Sequence, residues 1–197
     1  MRKIALISLI FTTFTFALDI QMAYYKSYNY EKMGDYKDSI KSLIPVYKKY
    51  PKGYTLNLRL GYLFFLDKKY NNSIEHYKKA AIVAPYSVEA KLGLIKNYLK
   101  TTKYDNALSI CNSIIKIDYY NYYGNFYLLI ALKLKNQDNE AIKVATKMLS
   151  LYPTDIMYLQ EMAKLQYKKD KKRGIKIFKD ILILDPNNIT AKEYLSR

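Results

Sequence analysis

The chain has 197 residues, with 33 Lys and Arg against 17 Asp and Glu, and its formal net charge is +16 at pH 7. Hydrophobic residues make up 50% and charged residues 25%, which excludes a disordered polyelectrolyte and predicts a folded chain. The only cysteine is Cys111 and the only histidine is His76, so a disulfide framework and a Cys₄ or Cys₂His₂ zinc site are excluded. A single histidine also leaves no Ser-His-Asp or Cys-His catalytic set. We therefore expect no metal, no cofactor and no enzyme activity.

An apolar stretch over residues 4–18 follows two basic residues at the N-terminus. It is shorter than the roughly 20 residues that a membrane-spanning helix needs, and a small-x-small cleavage site ends at Ala17. We therefore predict an export signal over residues 1–17, a mature domain over residues 18–197, and a periplasmic or other cell-envelope location. No cysteine lies near the cleavage site, so a lipoprotein is not expected. Retention of the signal as an uncleaved membrane anchor is the alternative.

The rest of the chain repeats with a period of about 34 residues. Prolines at positions 51, 85, 153 and 186 lie 34, 68 and 33 residues apart, and Tyr36, Tyr70 and Tyr104 share the same spacing. Within each period, an apolar pattern with helical spacing leads to a polar turn and then to a second such pattern. A period of 34 with two helices per unit is typical of helix-pair repeat proteins.

The period predicts five repeats in chain order, each with a helix, a turn and a second helix. They cover residues 20–53, 54–87, 88–121, 122–155 and 156–188, and a helix over 189–197 caps the end of the array. The predicted turns are Gly34-Asp35, Lys68-Lys69, Thr101-Thr102, 136–138 and 169–173. Each second helix has a small residue where it must approach another helix closely, namely Ser39, Ser73, Ala107, Ala141 and Gly174. Pro45 lies inside the second helix of the first repeat and is expected to kink that helix.

The second repeat carries the most regular pattern. Its first helix contains Leu60-Gly61 and Phe64, its second helix contains Ser73, Tyr77 and Ala80, and the repeat ends at Pro85. On these residues the chain resembles the tetratricopeptide repeat family, and the resemblance covers residues 20–188. It implies an all-α fold, a right-handed α-solenoid of about five helix-turn-helix repeats plus a C-terminal capping helix. The chain departs from the family pattern at Ile95 and Leu129, where a small residue is usual, and at Tyr119, which replaces a proline.

The resemblance also implies a binding groove, because the first helices of such repeats line a concave surface. The large apolar residues that it assigns to this groove are Tyr24, Tyr28, Leu58, Tyr62, Phe65, Leu66, Leu92, Leu99, Phe126, Ile130 and Tyr167. An exposed apolar surface of this size marks an interaction site. The lysine and asparagine pattern that holds a C-terminal carboxylate in chaperone-binding relatives is missing. We therefore predict a non-catalytic interaction scaffold of the cell envelope that binds a helix or an extended peptide of another protein.

The positive charge supports an alternative function. A basic run around the last predicted turn is a candidate anion-binding site, with Lys168, Lys169, Lys171, Lys172, Arg173 and Lys176. It predicts a basic adaptor that binds anionic lipid at a membrane surface or an anionic envelope polymer. All but four of the 33 basic residues are Lys, whereas bidentate phosphate recognition prefers Arg, so a nucleic-acid partner is not expected. Self-association through the groove or the open end of the array is a third alternative.

The remaining chemically active residues have structural interpretations. Cys111 is predicted to be a small buried apolar residue rather than a reactive thiol, and His76 a structural or partly solvated histidine rather than a ligand. Asp and Glu residues near the turns are predicted to cap second helices rather than to form a hydrolytic pair; these are Asp35, Asp38, Asp67, Asp105, Asp138 and Glu140.

Overall fold

The structure, a computed structural model, describes residues 19–197, so the predicted export signal over residues 1–17 lies outside the described residues. The described part of the chain contains eleven helices and no strand. The first, α1, covers residues 19–32. The others are α2 (Tyr36–Lys49), α3 (Tyr54–Leu66), α4 (Tyr70–Val83), α5 (Val88–Lys100), α6 (Tyr104–Ile115), α7 (Tyr122–Leu134), α8 (Asp138–Leu149), α9 (Ile156–Lys169), α10 (Lys171–Leu184) and α11 (Ile189–Leu195).

The helices form the predicted pairs. Each of the five predicted repeats contains one first helix and one second helix, and α11 follows the last pair. Within the pairs, α3 packs on α4, α7 on α8 and α9 on α10. The predicted all-α solenoid fold is therefore confirmed. Of the helices in residues 19–197, none has the length and apolar character that crossing a membrane requires.

Four of the five turns inside the pairs share one backbone geometry. A residue just after each first helix adopts the left-handed conformation, with φ of 76° at Gly34, 59° at Lys68, 57° at Thr102 and 58° at Asn136. In each turn, the next backbone N–H donates to a carbonyl five residues earlier at 2.9 Å, as Lys69 does to Phe64. This is the Schellman arrangement that ends many helices, and it recurs every 34 residues.

The fifth turn differs from the prediction. Residues 169–173 were expected to form a polar turn, but α9 continues to Lys169 and α10 begins at Lys171. Asp170 alone joins the two helices, in an extended conformation with φ of −146°. Its carboxylate accepts hydrogen bonds from the backbone N–H groups of Lys172 and Arg173 at 3.1 and 3.3 Å. The predicted turn is therefore wrong, because an N-cap aspartate starts α10 at once.

The predicted column of small residues is confirmed. Ser39, Ser73, Ala107 and Ala141 have no exposed surface, and the hydroxyl of Ser73 donates to the carbonyl of Gly61 at 2.6 Å. A Cβ atom on Gly174 would lie 2.5 Å from both the Cβ and the backbone N of Tyr167, so only glycine fits there.

Two compact units divide the chain, one ending at Asn97 and the other beginning at Tyr98. In the first unit, α2 and α3 bury one apolar cluster, which consists of Ile40, Leu43, Val46, Leu56, Leu60 and Leu63. In the second unit, one cluster is built around Leu129, Ala141 and Tyr158, and another around Phe178 and Ile181. Pro45 is exposed, and α2 continues through it as one helix.

Candidate functional site

The first unit contains a cavity of about 470 Å³ on its groove side. Residues from α1, α3, α4 and α5 line it: Tyr24, Tyr28, Tyr54, Thr55, Leu58, Arg59, Tyr62, Tyr77, Glu89, Leu92, Gly93 and Lys96. Five of these are tyrosines, so the wall is aromatic but carries hydroxyl groups. Tyr28 and Tyr62 are 49% and 41% exposed, which leaves large parts of both rings available to a ligand.

Five of the residues that the sequence assigned to the groove meet at this cavity, namely Tyr24, Tyr28, Leu58, Tyr62 and Leu92. Phe65 and Leu66 do not line it. The ring of Phe65 instead packs edge-on against Tyr70, with 5.7 Å between the ring centroids. The two strongly exposed tyrosines of the cavity, Tyr28 and Tyr62, come from α1 and α3.

Buried Arg59 lines one side of the cavity and forms an ion pair there. The guanidinium of Arg59 pairs with Glu31, and its Nη2 donates to the Ser27 hydroxyl at 3.2 Å. The ring of Tyr28 covers the guanidinium, with 3.8 Å from Cζ to the ring centroid. Burial and the neighbouring Glu31, which accepts a hydrogen bond from the Tyr62 hydroxyl, raise the pKa of Tyr62. Arg59 is therefore neutralised by Glu31 and held in place by Tyr28.

Tyr77 forms the floor of the cavity because two glycines leave room for its ring. A Cβ on Gly93 would lie 2.5 Å from Tyr77 Cδ1 and no farther from Cε1 and Cζ, and a Cβ on Gly61 would lie 2.9 Å from Cδ2. The ring is thus held between α3 and α5. Burial raises the pKa of Tyr77, and the negative charge of Glu89 raises it further.

Two charged residues of α5 face the same cavity on either side of Leu92. Glu89 accepts a long hydrogen bond of 3.4 Å from the Tyr54 hydroxyl, which also lies 2.7 Å from the Ser87 hydroxyl. Lys96 is exposed. Within the described residues, neither Glu89 nor Lys96 forms an ion pair.

The other predicted groove residues belong to the second unit, where they are half-buried. Phe126 and Ile130 pack against the cluster around Leu129, and the Phe126 ring lies 5.6 Å from that of Tyr158. Tyr167 packs edge-on against the rings of Phe178 and Tyr194. Leu99 is also half-buried. Much of the surface of these side chains therefore supports the fold of the second unit.

The second unit has an ion-pair network at positions equivalent to those of Glu31 and Arg59, with the charges reversed. Lys133 pairs with Glu161, and the two are 28 residues apart, as are Glu31 and Arg59. Lys164 adds a second contact to Glu161 at 2.8 Å. Burial alone would raise the pKa of Glu161, but the two lysines outweigh burial and lower it. The carboxylate is therefore ionised and paired at neutral pH.

The predicted anion-binding residues lie at the ends of α9 and α10, and several already have partners. Lys168 pairs with Asp138 at 2.6 Å, Lys169 donates to Asn139 at 3.1 Å, and Arg173 pairs with Asp170 at 3.3 Å. Lys171 lies 5.3 Å from the centroid of the Tyr167 ring. Lys172 and Lys176 are exposed. The net positive charge of this cluster is therefore smaller than the sequence suggests.

Cys111 is buried, as predicted, and His76 is buried as well. The Asn57 amide donates to the carbonyls of Pro51 and Gly53, so its Oδ1 accepts from Nδ1–H of His76 at 2.9 Å. Burial, with a smaller effect of Lys79, lowers the pKa of His76 to about 4. Burial raises the pKa of Cys111 to about 12, so its thiol is protonated and unreactive. Over residues 19–197, no group of His, Cys, Asp and Glu is arranged to hold a metal ion.

The acidic residues near the turns mostly take the predicted places. Asp35 caps α2 by accepting from the backbone of Asp38 at 3.0 Å. Asp105, Asp138 and Glu140 lie in the first turns of second helices. Asp67 differs, because it is the C-cap residue of the first helix α3 and so does not cap a second helix.

The sequence pattern did not indicate Tyr54, Arg59, Tyr77 or Gly93 as lining residues. The family pattern assigns Tyr77 to the core, where its ring indeed lies, but its edge also reaches the cavity. Arg59 is one of only four arginines in the chain and lies inside the most regular repeat, which was the one signal available.

Comparisons with known proteins agree with the fold. No family model and no curated protein matches the sequence. Among solved structures, a tetratricopeptide repeat protein from Parabacteroides merdae has 16% identity and a TM-score of 0.80, over 91% of this chain and 72% of that one. MamA 41-end from Desulfovibrio magneticus has 16% identity and a TM-score of 0.75, over 87% and 97%. A TPR protein of Thermus thermophilus has 13% identity and a TM-score of 0.68, over 90% and 97%. These similarities support the resemblance seen in the sequence, and the chain has the fold of the tetratricopeptide repeat proteins.

Proposed function

We propose that this protein is a non-catalytic interaction scaffold of the cell envelope, and that the cavity of the first unit binds a helix or an extended segment of another protein. The observation that carries the proposal is the cavity wall, where exposed faces of Tyr28 and Tyr62 flank half-buried Leu58 and Leu92. Aromatic side chains with a polar end are the residues that most often dominate protein interfaces.

The exposed surface of the cavity supports weak binding. Tyr28 and Tyr62 are 49% and 41% exposed, so together they leave roughly 200 Å² for a partner to cover, and the partner covers a similar area of its own. At roughly 25 cal/mol/Å² the gross gain is on the order of 10 kcal/mol, and association costs of about 4 kcal/mol or more leave a Kd of roughly tens of micromolar or weaker. Arg59 contributes little to this gain, because it is buried and its guanidinium is already paired with Glu31.

The non-catalytic part of the proposal rests on the state of the reactive groups. His76 is buried with a low pKa and donates to Asn57, and the Cys111 thiol is fully buried. Neither residue lines the cavity. The envelope location rests on the predicted signal, and sequencing the N-terminus of the native protein tests cleavage near Ala17.

Binding in the cavity is tested by crosslinking and pull-down from envelope extracts. We expect a specific partner to be captured by the wild-type protein and lost with Tyr62→Ala. Tyr86→Ala is the matched control, because Tyr86 is 81% exposed but does not line the cavity. Equal capture by wild type and Tyr62→Ala would refute the cavity as the binding site.

A second candidate function, an adaptor on anionic lipid or polymer, is favoured by exposed apolar residues around the loops of the second unit. Ile117 is 63% exposed, Ile183 79% and Ile189 81%. Other large side chains of the second unit's loops and helix ends are exposed as well: Tyr119, Tyr120, Leu151, Tyr152 and Leu184. Tyrosine and isoleucine side chains of this kind insert at the membrane–water interface, where lysines can contact anionic head groups.

Vesicle flotation tests this second function. Binding to phosphatidylglycerol vesicles should be lost with Ile117→Asp and retained with Met33→Asp, whose parent side chain is 78% exposed in the α1–α2 turn. A steep loss with rising salt and with Lys172→Glu would point to the basic cluster instead, since exposed charges are screened within about 8–10 Å at physiological salt. Absence of flotation excludes an adaptor on anionic lipid. A concentration-dependent mass in solution would identify self-association.

A further inference from the structure

We propose that the partner segment bound in the cavity of the first unit carries one basic and one acidic side chain, which pair with Glu89 and Lys96. This inference rests on the proposed function and assigns the charge pattern of the ligand. It follows from the three charged residues that line the cavity, which are Arg59, Glu89 and Lys96. Arg59 is already neutralised by Glu31, so its charge selects little.

Glu89 and Lys96 carry the two charges that remain available. Neither forms an ion pair within residues 19–197, and both are exposed. The hydrogen bond from Tyr54 to Glu89 is long, at 3.4 Å, and so leaves most of the carboxylate's capacity to accept. The negative charge of Glu89 reaches into the cavity, since it raises the pKa of Tyr77 at the cavity floor.

The two charges lie on one face of α5. They are seven residues apart, which is about two helical turns or roughly 10 Å at 1.5 Å per residue. Leu92 lies between them, and Leu58 of α3 lines the same cavity. The surface is therefore acidic, apolar and basic in turn along the axis of α5.

This order restricts what can bind. A segment that covers Leu58 and Leu92 removes water from Glu89 and Lys96, and a charge that loses water without gaining a partner weakens binding. A segment with two basic residues repels Lys96, and one with two acidic residues repels Glu89. The best ligand has an apolar centre with one charge of each sign about 10 Å apart. This means about seven residues in a helix, or two or four in an extended segment, where only an even spacing keeps both side chains on one face.

A display library tests this pattern without a known partner. Random 15-residue segments are selected on the immobilised full-length protein, and the enriched segments are measured against three variants. Glu89→Lys and Lys96→Glu reverse the two charges in turn. Lys78→Glu is the matched control, since Lys78 is exposed on α4 and does not line the cavity. Melting curves confirm that all variants are folded.

We expect enriched segments to contain a basic and an acidic residue at the stated spacing. Their affinity should fall at least fivefold with Glu89→Lys and with Lys96→Glu but stay unchanged with Lys78→Glu. Changing the basic residue of a segment to Glu should restore binding to Glu89→Lys. Segments that lose affinity with Tyr62→Ala but ignore both reversals would overturn the charge pattern and leave the binding site intact. If no enriched segment depends on Tyr62, the proposed function fails together with this inference.

Discussion

The contact of Tyr77 with two glycines makes a prediction whose sign depends on the size of one side chain. Replacing a helical glycine by alanine usually stabilises a helix by about 0.8–1.0 kcal/mol. In Gly93→Ala, however, the new methyl group would overlap three atoms of the Tyr77 ring. The ring cannot retreat toward α3, because it already lies close to Gly61. Overpacking costs about 1–3 kcal/mol, and overlap with three ring atoms places this case near the upper end, so we expect Gly93→Ala to destabilise the first unit by about 1–2 kcal/mol net.

The same change should stabilise the protein once the ring is removed. In a Tyr77→Leu background, the shorter side chain leaves room for the methyl group, and Gly93→Ala should add up to about 1 kcal/mol. Tyr77→Phe is the matched control, since it keeps the ring and should keep Gly93→Ala destabilising. Urea unfolding followed by circular dichroism compares Gly93 with its alanine variant in all three backgrounds. If Gly93→Ala has the same sign in the wild-type and the Tyr77→Leu backgrounds, the ring is not what excludes a side chain at this position.

Three further predictions concern turns, titration and ion pairs. Thr102→Gly should raise the melting temperature and Gly34→Ala should lower it, because both residues have a positive φ, which favours glycine. A Cβ on Gly34 would meet no atom within 4 Å, so the effect of that change is backbone strain alone, about 1 kcal/mol. Melting-temperature shifts of the same sign for the two variants would refute this. The pKa of His76 is about 4 in the folded protein and about 6.5 in the unfolded chain, so the unfolded state binds more protons between these pH values. The free energy of unfolding should therefore fall by roughly 3 kcal/mol as the pH drops from 6.5 to 4. His76→Gln should flatten this dependence of the unfolding free energy on pH. Arg59→Glu and Glu31→Lys should each destabilise the first unit, because each leaves two like charges in contact. The double variant should recover most of the lost stability, since it has the same polarity as the native pair of Lys133 and Glu161. Purely additive effects in this double-mutant cycle would contradict the expected pairing.

The sequence predicted the repeat but not every place where the repeat changes. The period placed the helix pairs and the buried column from Ser39 to Gly174, because close helix contacts admit few residue types. It did not reveal that the turn in the fifth repeat consists of Asp170 alone, since lysines suit a helix end as well as a turn. The groove was predicted in part. Tyr28 and Tyr62 are exposed as expected, but burial of Phe126 depends on Tyr158, and positional rules contain no information about such neighbours.

Two ion pairs of opposite polarity, each with one buried member, bear on how a chain of similar helix pairs finds its order. During folding, repeats that are not neighbours offer one another much the same apolar surface, and incorrect stacking is a characteristic failure of repeat proteins. If the helix that carries Arg59 stacked on the helix that carries Lys133, two cations would meet, and Glu31 against Glu161 would bring two carboxylates together. A buried like-charged pair is far more unfavourable than an imperfect apolar contact. The polarity of these two pairs therefore disfavours stacking of the second repeat on the fourth and of the fifth repeat on the first.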